Sequence, residues 1–131
     1  MVFDTGGADI KIQGGMKGMS RDKCGAAAFA GFFRALADLR PKGLKVVAKL
    51  GFVRNSVGED AYVQDEIITS RAGQRVRVGN TDAEGRFVMA DLLAQMGEMA
   101  AGEVNPHLMT CCTLTGHAIN SYGPGMPRAR N

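Results

Sequence analysis

A chain of 131 residues with 22% charged side chains and a net charge of +3 is long enough for one domain that buries roughly two-thirds of its unfolded surface. It is too weakly and too diffusely basic to read as a nucleic-acid binder. No apolar run approaches the roughly 20 residues of a membrane span, and the N-terminus lacks the basic region and apolar core of a signal peptide, so no membrane partner is expected and the expected location is cytoplasmic. Cys24, Cys111 and Cys112 make an odd number of cysteines with no metal-ligand spacing, which predicts reduced packing residues rather than a disulfide framework.

Taken in order, residues 2–4 read as the end of a strand carrying Asp4. Residues 5–22 form a glycine-rich loop, with Lys11 and Asp22 in or beside it. The small and apolar residues of 24–39 predict a helix, apolar all round and buried at its start. Arg34 and Asp38 mark its wet face, and Pro41 and Gly43 stop it. The apolar run 44–53 predicts a largely buried strand, followed by a loop from Asn55 to Asp65. Two short strands, 67–71 and 74–79, flank Ala72-Gly73 as a hairpin, since Arg75, Val76, Arg77 and Val78 alternate with a two-residue period. A second helix is expected over 84–101, with Val88, Leu92, Met96 and Met99 as its core row and Gly102 ending it. A last strand is expected from His107 to Thr115, and a breaker-rich, unstructured tail over 121–131. His107 and His117 are expected to be structural or surface residues. The element order predicts an α/β fold, a mixed sheet flanked by helices.

The hairpin leads into Asn80-Thr81-Asp82-Ala83-Glu84-Gly85-Arg86. Two carboxylates two residues apart can reach one point from a tightly turned backbone, and carboxylate oxygens are hard ligands for divalent cations. Gly85 permits close approach to the backbone, and Arg86 at a helix start suits an anion. The competing reading is that Thr81 or Asp82 is a helix N-cap and Glu84 a first-turn acid.

Three blocks carry a resemblance: Asn80 to Arg86; Phe3-Asp4-Thr5-Gly6-Gly7 with Ile10-Lys11 and Met19-Ser20-Arg21-Asp22; and Thr113-Leu114-Thr115-Gly116. In type, order and approximate spacing they resemble the leucine aminopeptidase family, the cytosolic two-metal aminopeptidases, from about residue 2 to about residue 120. The resemblance implies residues 1–120 as a partial catalytic domain that is incomplete at both ends. In the family a metal-ligating lysine precedes the first block, and here it would fall before Met1. The isolated 131-residue chain is therefore expected to lack activity.

The implied chemistry is release of N-terminal residues from peptides with a free N-terminus. Two divalent ions (Zn, Mn or Mg) would be held by Asp4, Asp22, Asp82 and Glu84, and a bridging water acidified towards hydroxide would attack the first peptide carbonyl. Lys11 would steady the oxyanion. Arg86 would hold a bicarbonate that shuttles the proton. Met19, Thr113 and Gly116 would line the pocket for the first side chain, with Leu114 on its backbone edge. The family's members assemble as homohexamers. Two departures from its pattern are Cys24, where glycine is common, and Phe87 and Met89, where leucines are usual.

Two other readings compete. Asp4-Thr5-Gly6 also matches the Asp-Thr-Gly of aspartic proteases, whose mechanism needs a shared proton between two aspartates and a nearly all-β chain. A truncated, inactive subunit with a structural or binding role is the non-enzymatic alternative.

Overall fold

Two parallel strands underlie the candidate site. β1 (Val2–Gly7) runs parallel to β2 (Gly51–Asn55), pairing Val2 with Gly51, Phe3 with Phe52 and Asp4 with Val53, and the register shifts between Asp4 and Gly7. The computed structural model describes residues 2–7, 14–113 and 117–123, with the backbone alone at 2–7, 54, 55, 118 and 119. Parallel strands need a long crossover, and α1 (Cys24–Leu39) lies within it and packs on β1.

α1 has the bounds its periodicity predicts. It ends where Arg40 turns left-handed (φ 46) and donates its N–H to the Leu36 carbonyl, directly before Pro41, which cannot continue a helix. Arg34 and Asp38 pair at 3.1 Å on the exposed face. The helix start is less covered than expected. Gly25 and Ala26 are buried, but Cys24, Ala27 and Ala28 are exposed. Phe29, Phe32 and Phe33 meet edge to face, at centroid separations of 6.2 and 6.0 Å. Cys111 and Cys112 are half-buried, and all three thiols are free.

The burial of Gly25 has a specific cause. A Cβ there would lie 2.6 Å from the Cys112 Cα and 2.9 Å from both the Cys111 carbonyl oxygen and the Cys112 nitrogen. All three are backbone atoms, so a side chain fits only if the two segments separate.

The strand expected over 44–53 is shorter. Only its C-terminal end pairs, and Leu44, Val47, Leu50, Phe52 and Val53 are exposed. Continuous apolar runs suit parallel strands covered on both faces. Among the described residues β2 has β1 as its one strand neighbour and α2 against it, which is less cover than the run encodes. The expected last strand is likewise absent over residues 107–113, which are irregular, with Leu108 and Met109 exposed; residues 114–116 lie outside the described residues. A short helix not anticipated from the sequence, α3 (His117–Tyr122), follows, and the rest of the expected tail beyond Gly123 is outside the described residues.

The hairpin forms around the expected turn, with shorter strands. β3 (Ile67–Thr69) pairs antiparallel with β4 (Arg75–Arg77), in the register Ile67 with Arg77, Ile68 with Val76 and Thr69 with Arg75. Gly73 takes φ +76, and its N–H reaches the Ser70 carbonyl at 2.8 Å. Beyond the ladder, the Val78 N–H donates to the Glu66 carbonyl and the Asp65 N–H to the Val78 carbonyl, both at 2.8 Å, and the Val78 side chain is fully buried.

α2 (Glu84–Ala100) follows, with Ala101 rather than Gly102 closing it. Val88, Leu92 and Met96 of the expected core row are half-buried, whereas Met99 is exposed. The hairpin turn grips this helix. The Arg71 N–H donates to Asp91 Oδ1 at 3.0 Å, and its guanidinium reaches both Glu98 oxygens at 2.8–3.2 Å. Asp91 and Glu98 are seven apart, two turns along one face, so a single arginine spans both.

The class is α/β, with parallel and antiparallel pairing distributed, among the described residues, over two two-stranded sheets. α1 and α2, of 16 and 17 residues, are incompatible with the nearly all-β chain that the Asp-Thr-Gly reading requires. Among the described residues no helix is long and apolar enough to cross a membrane.

Two stability measurements test this packing. Gly25→Ala is expected to destabilise the protein by about 1–3 kcal/mol, as overpacked sites do. Gly31→Ala, in the same helix with nothing within 4 Å of the added carbon, is expected to stabilise it by about 0.4–1 kcal/mol through the unfolded state. Urea midpoints of the two variants moving in the same direction would contradict the packing. The second test is acid titration. The hydrogen bond from Arg71, and then its charge, hold the Glu98 carboxyl below its ordinary value of 4.5. A depressed carboxyl contributes stability above that value and loses it as pH falls through the lower folded value. The stability gap between wild type and Glu98→Gln should therefore be constant near neutrality, close below pH 4.5, and shrink in salt because the pair is exposed.

Candidate functional site

The candidate carboxylates come from three elements, and β1 touches the other two: the 3₁₀ turn Met19–Arg21 and α2 both pack against it. Asp4 occupies the β1 position opposite Val53. Its side chain, like Lys11, Leu114 and Gly116, is outside what the structure describes.

Asp22 closes the 3₁₀ turn. Gly18 enters this turn at φ 83, a conformation that favours glycine, and the Asp22 N–H donates to the Met19 carbonyl at 2.8 Å. Met16, just before the turn, is buried, and Met19 is half-buried. The Asp22 carboxylate is half-buried and engaged: Thr113 Oγ1 donates to Oδ1 at 2.7 Å across 91 residues of chain. Residues 111–112 rest on Gly25, three residues beyond Asp22, and that contact brings Thr113 within reach. Two residues expected in different roles, a metal ligand and a pocket wall, are thus joined directly.

The heptapeptide folds as a 3₁₀ turn, Thr81–Ala83, running straight into α2. Neither Thr81 nor Asp82 is the helix cap: the N-cap position of α2 is Ala83, which makes no side-chain cap bond, and the 3₁₀ turn before it is capped by Asn80. Asn80, extended at φ −159, accepts the Asp82 N–H on Oδ1 at 2.8 Å, and the Ala83 N–H bonds to its carbonyl at 3.2 Å. Asp82 is exposed within the turn. Glu84 is the first residue of α2 and half-buried, where the positive end of the helix favours negative charge. Gly85 is buried immediately after it, and Arg86 is exposed one position further on.

One neighbour escaped the sequence reading. Tyr62, from the loop before the hairpin, packs its ring on Phe87 at 5.5 Å and 63°. Burial, and secondarily the charge of Glu84, push its hydroxyl above its ordinary range. The only hint in the sequence is a lone aromatic in a polar loop. His107 and His117 are exposed, in keeping with their expected surface role.

The donor set is all carboxylate oxygen, which fits hard or borderline divalent ions. Asp22 Oδ2 has no hydrogen-bond partner among the described residues. Among those residues no three His, Cys, Asp or Glu side chains gather closely enough to hold one ion; Asp82 and Glu84 share one turn, and Asp22 belongs to the other. An open groove between β2 and α2, lined by Leu50, Phe52, Arg71, Val88, Asp91 and Leu92 among others, contains none of the candidate residues.

Comparison with known proteins bears on the chain as a whole. The catalytic-domain model of the cytosol aminopeptidase family matches residues 1–128. A putative aminopeptidase of Caenorhabditis elegans is 52% identical over 123 residues, 94% of this chain and 24% of that protein. Probable cytosol aminopeptidases of Polaromonas naphthalenivorans and Exiguobacterium sibiricum are each 40% identical, across 94% of this chain and 23% and 25% of their own lengths. The chain thus spans about a quarter of the length of the curated relatives it matches. No solved structure matches it. A family model covering nearly every residue, over a chain whose candidate carboxylates stand on β1, on the turn packed against it and at the start of α2, shows that this chain belongs to the cytosol aminopeptidase family, within its catalytic domain.

Proposed function

We propose that the protein carrying this chain is a metal-dependent aminopeptidase that removes the first residue from peptides with a free N-terminus. The observation that carries the proposal is the folded heptapeptide. Asn80 caps the turn, so Asp82 and Glu84 emerge at the start of a helix, an environment that favours their negative charge, within a chain of this family.

Asp4, Asp22, Asp82 and Glu84 would hold two divalent ions, zinc, manganese or magnesium. Such ions, when bound, supply Lewis acidity and an acidified water. Four carboxylates offset the mutual repulsion of two adjacent cations. Glu84 is the first residue of α2, and Asp22 accepts a hydrogen bond from Thr113. Lys11 donates to the carbonyl oxygen as negative charge develops on it. Arg86, in the first turn of α2, would hold bicarbonate on its guanidinium fork, and that ion, when bound, would supply a proton carrier. Met19, Thr113 and Gly116 line the space for the first side chain, and the Leu114 backbone borders it. A homohexamer in the cytoplasm is the assembly and setting that go with this reading.

The test uses the protein at its natural length, purified from its own cells. It is expected to hydrolyse a leucyl-anilide but not its N-acetylated form, to lose activity to a chelator and to recover with Mn²⁺ or Zn²⁺. Glu84→Gln should reduce turnover by more than the roughly 10–100-fold loss that second-sphere changes at metal sites produce. Turnover that survives chelation, or that is blocked by a statine-type peptide instead, would defeat the proposal.

A further inference from the structure

We infer that Thr113 is a positioning residue for Asp22: its hydroxyl holds one carboxylate oxygen so that the other is presented to a divalent cation. The inference rests on the metal-dependent reading above. Its ground is the 2.7 Å bond from Thr113 Oγ1 to Asp22 Oδ1, partly buried and spanning 91 residues. That length suits a hydroxyl donating to an ionised carboxylate.

Asp22 needs such an anchor. It lies between a single 3₁₀ turn and the N-cap Lys23 of α1, and among the described residues its backbone N–H is tied to the Met19 carbonyl. An aspartate there is otherwise free to turn about both side-chain torsions. Thr113 is fixed by different means. Cys111 and Cys112, just before it, lie directly on the bare Cα of Gly25, and its β-branched side chain has few rotamers. The bond therefore transfers the rigidity of the start of α1 to the Asp22 carboxylate.

The assignment also limits what Thr113 can do in a pocket. A hydroxyl has one proton, and here that proton is given to Asp22. Towards a substrate the Thr113 side chain can offer its methyl group and its lone pairs, not a hydrogen-bond donor.

The experiment is calorimetric titration of the natural-length protein, stripped of metal, with Mn²⁺ as the probe. Thr113→Val keeps the shape and removes the donor, and Thr113→Ala removes it with less bulk, so the result does not depend on one variant folding. Both are expected to weaken Mn²⁺ binding by roughly 10–100-fold, the range for second-sphere changes at metal sites. Thr113→Ser should restore affinity close to wild type. In an Asp22→Asn background the Thr113 variants should cause no further loss. For a leucyl-anilide, kcat should fall at limiting Mn²⁺ and recover at saturating Mn²⁺, with KM unchanged. If wild type binds Mn²⁺ and the Val and Ala variants bind it equally well while KM rises, Thr113 is only a pocket wall and the inference fails alone. If wild type binds no Mn²⁺, the metal-dependent reading fails and takes the inference with it.

Discussion

The contact on which the site depends is the close approach of residues 111–112 to Gly25. Among the described residues no strand ladder holds the irregular segment that leads to Thr113. It is placed by resting on a helix surface that carries no side chain at the point of contact. Closing a long stretch of chain costs entropy that grows only slowly with its length, so a few such contacts can hold Asp22 and Thr113 together from 91 residues apart. A hydrogen bond to a charged group adds about 1.5–3 kcal/mol, comparable with the penalty for one badly packed methyl group. The bond and the packing are therefore of similar weight, and neither is dispensable.

The other half of the site is assembled locally. The hairpin and α2 are consecutive in the chain, and they are fastened together at both ends of the intervening heptapeptide. On one side Val78 is buried and its backbone is paired with residues 65 and 66. On the other the Phe87 ring meets Tyr62. Further out, Arg71 ties the hairpin turn to Asp91 and Glu98. The turn that carries Asp82 and Glu84 thus has little freedom to open. β1 links the halves, since it contacts both the turn before Asp22 and α2.

What was legible in the sequence divides along the same line between local and distant. α1 could be read to the residue because helical periodicity and Pro41 act within a few positions. The hairpin was legible because alternation and the Ala72-Gly73 turn are local as well. The apolar run at 44–53 forms a strand only at its end and residues 107–113 form none, because a strand exists only where a partner pairs with it, and partners lie far away in the chain. The cap failed for a subtler reason. Asn80, Thr81 and Asp82 can all cap, and the extended backbone at Asn80 decides among them. Gly25 was hidden by its neighbour. Cys24 is the departure from the family's glycine, yet the contact that admits no side chain falls one residue later. Tyr62 was invisible because its nearness to Glu84 depends on how the loop folds back over Phe87.

These distinctions explain why the heptapeptide has to be a contiguous block whereas its partners are scattered. Within Asn80 to Arg86 the residues alternate between building the turn and carrying charge. Asn80 caps and Gly85 is buried, while Asp82, Glu84 and Arg86 are charged and reach outward to different degrees. A structural residue can present a charged one only if the two are adjacent, because the geometry is set by successive backbone torsions. Replacing Asn80 would disturb Asp82 without touching it, by freeing the amide that the cap now holds. Among the described residues Asp22 has no such cap in its own segment and accepts its hydrogen bond from distant Thr113, for which Gly25 leaves room beside the intervening backbone. The same chemical demand, a carboxylate held still, is met once by local sequence and once by tertiary packing, and only the first kind leaves a motif to be read.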